Sequence, residues 1–270
     1  MNPIRPNDPT TSTAVHRLKD GSLAREDAAV IIEEPLEIIV DDISYATTMR
    51  TPGDDLALAA GFCLAEGLVD RAEDLGSIQA CDLEDANQVT VIRADEHTPP
   101  ETRRRAPVTS SCGLCGRDMI DDLLQCLPRI ESEARISTAD LLGLGRRLQE
   151  AQTLFRPTGG THAAALFDAN LELLSVAEDV GRHNALDKAV GRLLLDRRLS
   201  EARVAVLSGR CSFEMVQKVA RAGIPIVASV SAPTALAVDV AQRIGITLVG
   251  FLRRETMTIY AGEGRIADLQ

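Results

Sequence analysis

The sequence predicts a mixed α/β fold in which a compact α+β part precedes a larger domain built on a parallel sheet. Two observations carry this expectation. Val204–Leu207, Ile226–Val230 and Ile246–Val249 are short apolar runs separated by helical patterns over 212–222 and 234–244. Continuous rather than alternating apolar strands are covered on both faces, and helical crossovers make them parallel with right-handed connections. Upstream, strand-like runs and one helical stripe between 28 and 93 are separated by tight polar turns.

The elements follow in order. Residues 1–25 are rich in Pro, Thr, Asn and Asp without periodicity and are expected to form a flexible arm. A small α+β domain is assigned to 26–105. Within it Asp41-Asp42 suits a hairpin turn, Leu56 to Leu64 forms a helical stripe ending near Gly67, and strands are expected around 77–82 and 88–93. Residues 106–156 hold a polar linker, a Cys-x-x-Cys loop and a helical hairpin. Its first helix carries Met119, Ile120, Leu123, Leu124 and Leu127 on one face, and its second starts at Ser137, three residues before Asp140. The remaining segment, 157–270, is the α/β domain. There a strand hairpin around Asp168-Ala169-Asn170 and a helix over about 180–195 precede the βαβαβ run, whose helices end at Gly223 and Gly245.

Composition excludes several functions. The chain has 270 residues, 45% of them hydrophobic, and 29 Lys plus Arg against 40 Asp plus Glu for a formal charge of −11. That balance opposes general binding to nucleic acid or anionic membranes. No apolar run approaches the roughly 20 residues that span a bilayer, and the polar start lacks a secretory apolar region, so a cytoplasmic protein is expected. Six cysteines in this length are too few for a disulfide scaffold and are expected to be reduced.

Chemistry concentrates at Cys112-Gly113-Leu114-Cys115-Gly116. Structural zinc wants a second Cys or His pair that the sequence does not offer, so no structural metal is expected. A zinc deaminase needs His-x-Glu ahead of Pro-Cys-x-x-Cys, and neither feature occurs. A thioredoxin-like site follows a strand in an early βαβ unit, whereas this pair follows a polar linker. Sulfur transfer fits the setting: thiolates attack sulfur, Arg117 and a following helix favour the thiolate, and the flanking glycines keep the pair out of a helix. On these residues alone the metal, redox and sulfur-transfer readings stay in competition. Further glycine, hydroxyl and guanidinium groups stand at the strand ends in Ser208-Gly209-Arg210, Ser231-Ala232-Pro233-Thr234 and Gly250-Phe251-Leu252-Arg253-Arg254, where α/β sheets bind ligands. His162 and His183 lie near element starts and are assigned no role.

The ordered motifs Glu33-Glu34-Pro35-Leu36, Thr48-Met49-Arg50-Thr51-Pro52-Gly53, Ser111-Cys112-Gly113-Leu114-Cys115-Gly116, Thr158-Gly159-Gly160-Thr161-His162, Glu178 to Ala185, Ser208-Gly209-Arg210, Glu214 to Lys218, Ser231-Ala232-Pro233-Thr234 and Leu248-Val249-Gly250-Phe251 together resemble the formate dehydrogenase accessory sulfurtransferases of the FdhD family. The resemblance covers nearly all the chain after the arm. It implies a cytidine-deaminase-like three-layer α/β domain with a smaller N-terminal α+β part, in a homodimer without deaminase chemistry. It also implies a sulfurtransferase that accepts sulfur from a cysteine desulfurase and passes it to the molybdenum cofactor, Mo-bis(molybdopterin guanine dinucleotide), before that substrate enters formate dehydrogenase. Cys112 matches the persulfide-bearing cysteine and Cys115 its partner. The cofactor-binding segment maps onto Phe251, Leu252, Arg253, Arg254, Glu255 and Thr256. The family usually carries Gly-Arg near the end of that segment, and Glu255-Thr256 departs from it. A carboxylate facing a phosphate is unfavourable, so Glu255 is expected to point away or to weaken binding. An alternative within the same resemblance is a chaperone that binds and delivers the cofactor without carrying sulfur.

Overall fold

The computed structural model describes residues 8–81, 87–94 and 127–269. The predicted helix over 119–127, apart from Leu127, and the linker ahead of it lie outside the described residues.

The N-terminal arm corrects its expectation. β1 (Thr10–Lys19) and β2 (Ser22–Ile31) form an antiparallel ribbon in place of an unstructured arm. Asp20 and Gly21, at φ 51° and 77°, make the two-residue turn whose twist matches a hairpin. The strands are mostly exposed and none of their residues is buried, so the alternation by which a half-buried strand is recognised is missing. Where the ribbon meets the body, Ile31 packs against Gly160.

A four-stranded sheet follows, ordered β4-β3-β6-β5 from β3 (Glu34–Val40), β4 (Ile43–Arg50), β5 (Leu75–Ala80) and β6 (Gln88–Arg93). The predicted Asp41-Asp42 turn joins β3 to β4 with both residues at positive φ. Leu36, Ile38, Val40, Val89 and Val91 point to one face and bury there against α1 (Asp55–Ala65).

The second sheet has six strands in the order β12-β11-β10-β9-β7-β8. β9 (Val204–Leu207), β10 (Ile226–Ser229) and β11 (Thr247–Gly250) are its parallel centre. The expected hairpin of β7 (His162–Phe167) and β8 (Leu173–Asp179) pairs antiparallel to β9, and β12 (Thr258–Ala261) closes the other edge. Because successive residues face opposite ways, the sheet feeds two cores. Ala164, Leu166, Ala205, Leu207, Val227 and Leu248 join the core that also holds α3 (Arg182–Leu195), α4 (Phe213–Arg221), α5 (Ala235–Ile244) and α1. Ala163, Ala165, Phe167, Val204, Val206 and Val249 face α2 (Thr138–Ala151). Ser137 caps α2 by accepting from the Asp140 N–H at 3.1 Å. Leu141, Leu144 and Leu148 of α2 are fully buried, each contributing about 1.5–3 kcal/mol. The helix that the sequence groups with the linker thus covers the second face of the large sheet.

The two sheets are joined through α1 and α3. α1 is buried on all sides rather than along one stripe, because the small sheet lies on one flank and α3 on the other. The helix backbones nearly touch: a Cβ on Gly61 would stand 2.0 Å from the Asp187 carbonyl oxygen, and one on Gly191 1.8 Å from that of Ala57. Buried polar groups fix this junction. The Asp179 carboxylate accepts from the Thr51 N–H and meets Lys188 Nζ at 2.7 Å, while Lys188 also donates to the Thr51 carbonyl. Asn184 donates to the Met49 carbonyl and to Asp179. Arg50, itself buried, is held by Asp55, Glu34 and Asn87. Lys218 meets both carboxylate oxygens of buried Asp187 at 2.8 Å. Several residues of the recognised motifs therefore serve to dock one sheet on the other.

Candidate functional site

Parallel strands end together, so the loops after β9, β10 and β11 form one rim. Main-chain bonds zip them side by side. Cys211 N–H donates to the Ala232 carbonyl at 3.2 Å and accepts at its own carbonyl from Thr234 N–H at 3.0 Å, Phe251 N–H donates to the Ser231 carbonyl at 3.0 Å, and Leu252 N–H donates to that of Ser229 at 2.9 Å. The buried Ser229 hydroxyl donates to the Gly209 carbonyl at 2.5 Å and accepts from the Ser231 N–H. Gly250 has no room for a side chain, since a Cβ there would lie 2.7 Å from Pro233 Cδ and 2.9 Å from Tyr260 Cε2.

The predicted cofactor segment leaves the sheet at this rim. Phe251 takes a left-handed conformation at φ 52°, a strained choice for a side chain of this size that turns its ring outward. Arg253 lies with its guanidinium 5.9 Å from the centre of that ring. A bond of 2.8 Å from Arg253 N–H to the Thr256 carbonyl closes the loop, with Arg254 and Glu255 exposed at its tip. Leu252 differs from its neighbours: it is buried beneath α2 against Gly145 and anchors the segment. Five of the six predicted residues are thus presented to solvent and one holds them in place.

On the far side of β10 from this loop the sheet order brings β7 next to β9, and with it a basic cluster. His162 opens β7, Arg182 and His183 open α3, and Arg210 follows β9. The Ser208 hydroxyl accepts from the Ala163 N–H at 2.8 Å and stands 3.5 Å from His162 Nδ1. Burial, followed by the positive charges of Arg182, His183 and Arg210, holds His162 below the usual imidazole range, with Asp179 opposing. His183 Nε2 lies 2.8 Å from Glu214 Oε2, and this contact holds the Glu214 carboxyl below its ordinary value against partial burial. The sequence named both histidines but offered no sign that they meet.

Cys112 and Cys115 lie outside the described residues. Of the described cysteines, Cys63 and Cys211 are fully buried, and burial pushes both thiols up to about 12. Neither is a thiolate near neutral pH, so neither competes as a sulfur nucleophile. Cys81 is exposed. No helix among the described residues is long and apolar enough to cross a membrane.

Residues 31–267 match the model of the FdhD/NarQ family. A sulfur carrier protein FdhD from Streptomyces avermitilis is 44% identical over 276 residues, covering 96% of each chain. That of Streptomyces coelicolor is 45% identical over 272 residues, again with 96% of each covered. The relative of the same name from Sulfurisphaera tokodaii is 41% identical over 256 residues, covering 93% of this chain and 97% of its own. Among solved structures, a protein from Desulfotalea psychrophila described as a formate dehydrogenase accessory protein superposes with a TM-score of 0.77. It is 27% identical and covers 96% of this chain and all of its own.

Proposed function

Because this chain belongs to the FdhD/NarQ family, we propose that it is a sulfurtransferase in the maturation of formate dehydrogenase. The observation that carries this reading is near-full-length similarity, at 41–45% identity, to relatives named as sulfur carriers. In the proposed reaction the Cys112 thiolate attacks the outer sulfur of a persulfide on a cysteine desulfurase. A new S–S bond forms at Cys112 as the donor's S–S bond breaks, and the donor cysteine leaves as thiolate. Cys115 assists in the transfer. The substrate that receives the sulfur is the molybdenum cofactor in its Mo-bis(molybdopterin guanine dinucleotide) form, seated on the rim by Phe251, Arg253, Arg254, Glu255 and Thr256 with Leu252 as anchor. The outward ring of Phe251 and the exposed guanidinium groups of Arg253 and Arg254 suit a flat base and an anionic ligand. Glu255 belongs at the loop tip, where it is free to turn from a phosphate.

The same reading takes the six-stranded sheet as cytidine-deaminase-like, and the protein as a cytoplasmic homodimer that meets a cysteine desulfurase and the client dehydrogenase in turn. Mass spectrometry after incubation with a cysteine desulfurase and cysteine tests the first step. The peptide holding Cys112 is expected to gain about 32 Da per sulfur, reversed by a thiol reductant. A peptide that stays unmodified while the desulfurase is turning over would favour a chaperone that delivers cofactor without carrying sulfur.

A further inference from the structure

The β1–β2 ribbon has no part in sulfur transfer as described. Its strands pair with each other and with no third strand, over ten successive residue pairs without a bulge. A two-stranded ribbon of this kind is marginal in water, and a free strand edge is a template for another chain. The base of β2 leans on the short helix Phe155–Thr158, while the outer edge of β1 is left unpaired. Proteins guard such an edge with proline, a bulge or short length, and none of these interrupts Thr10–Lys19.

Charge makes this edge selective. β1 carries His16, Arg17 and Lys19 and no carboxylate, in a chain whose formal charge is −11. Arg17 is paired with Glu26 of β2, whereas Lys19 and Arg25 have no ion-pair partner among the described residues. His16 stands directly opposite Arg25, and two like charges so placed, with His16 protonated, destabilise a ribbon until an anion lies beside them. Next along the same face Leu18 and Leu23 oppose each other at 70% and 65% exposure, an apolar pair at the tip. A second β1 edge would bring basic residues against basic residues, so the edge rejects its own copy and fits a strand of opposite charge.

We propose that the outer edge of β1 is a docking site for an extended, acidic segment of a partner protein, added as a third strand. The backbone of that segment pairs with β1, its carboxylates lie beside His16 and Lys19 within reach of the long Arg25 side chain, and an apolar side chain covers Leu18. A third strand also supplies the cover that a two-stranded ribbon lacks. This docking role goes beyond sulfur transfer and does not rest on it.

Calorimetric titration of the full chain with a blocked peptide of alternating Glu and Val, as long as β1, tests the edge. Saturable binding is expected, weaker by at least about tenfold in Lys19→Glu and in Leu18→Asp and unchanged in Arg198→Gln, whose surface pair with Glu201 lies on another loop. The same peptide with its backbone nitrogens methylated keeps its charge but cannot donate to a ladder, and it is expected to bind at least about tenfold more weakly. Absence of saturable binding, equal binding of a Lys and Val peptide, undiminished binding of the methylated peptide, or equal affinity in the ribbon variants and the parent overturns the proposal. So does a dimer of the parent chain in sedimentation that Lys19→Glu and Leu18→Asp dissolve, because a second copy then occupies the ribbon. Persulfide formation at Cys112 is measured without the peptide, so its failure is distinguishable from failure here.

Discussion

Formate dehydrogenase matured in the presence of the Cys112→Ala variant is expected to be inactive, with client activity lower by on the order of 10³-fold or more, as befits loss of a nucleophile. Neither of the two buried cysteines is placed to rescue it efficiently. Cys63 lies in the core between α1 and the small sheet, and Cys211 is buried in the turn that joins β9 to α4. With both thiols pushed up to about 12, only about one in 10⁵ would be ionised at pH 7, and burial keeps even that fraction from a partner protein. The variant should fold as the parent does, which a thermal unfolding midpoint checks. Cys115→Ala should retain partial activity if Cys115 only assists. Full client activity with Cys112→Ala would remove the persulfide from the account and leave a delivery role.

Gly191→Ala is expected to destabilise the protein by about 3 kcal/mol, at the upper end of overpacking costs, because the added methyl is driven into backbone rather than into a flexible side chain. It would stand 1.8 Å from the Ala57 carbonyl oxygen, and α1 and α3 would have to separate to admit it. That motion pulls on the Asp179–Lys188–Thr51 bonds that dock the small sheet on the large one. Gly143→Ala in α2 is the matched control. The same substitution there meets nothing closer than the end of the Arg146 side chain at 4.0 Å, and it should stabilise by about 0.5–1 kcal/mol through helix propensity. Denaturant unfolding of both variants measures the difference. Stabilisation of both variants would show that helix propensity, not helix contact, governs position 191.

The central strands were legible because each is an apolar run bounded by Gly, Pro or a capping hydroxyl, and burial on both faces leaves little other use for such a run. The same logic hid the ends of the fold. The Thr10–Ile31 ribbon buries almost nothing, so its one local signal is Asp20-Gly21, and β12 is a four-residue edge strand with mixed exposure. At the site, Phe251 to Thr256 was legible as a loop following a parallel strand. That Leu252 is an anchor depends on α2 covering the second face of the sheet, a long-range fact. The meeting of His162 with Arg182, His183 and Arg210 depends on β7 inserting between β8 and β9, against sequence order. Motif residues divide in a way their spacing does not foretell. Asp179, Asn184 and Lys188 turn inward to bind the small sheet, while Arg182 and His183 on the same stretch stand at the rim.

Following one labelled sulfur atom separates a sulfur carrier from a cofactor chaperone. The protein is charged with ³⁵S from labelled cysteine and a desulfurase, freed of both, and mixed with molybdenum cofactor and the unmatured dehydrogenase for a single turnover. Label is expected to leave the Cys112 peptide, appear on the cofactor, and rise in step with formate dehydrogenase activity. Activity that rises while the label stays on the protein would contradict it.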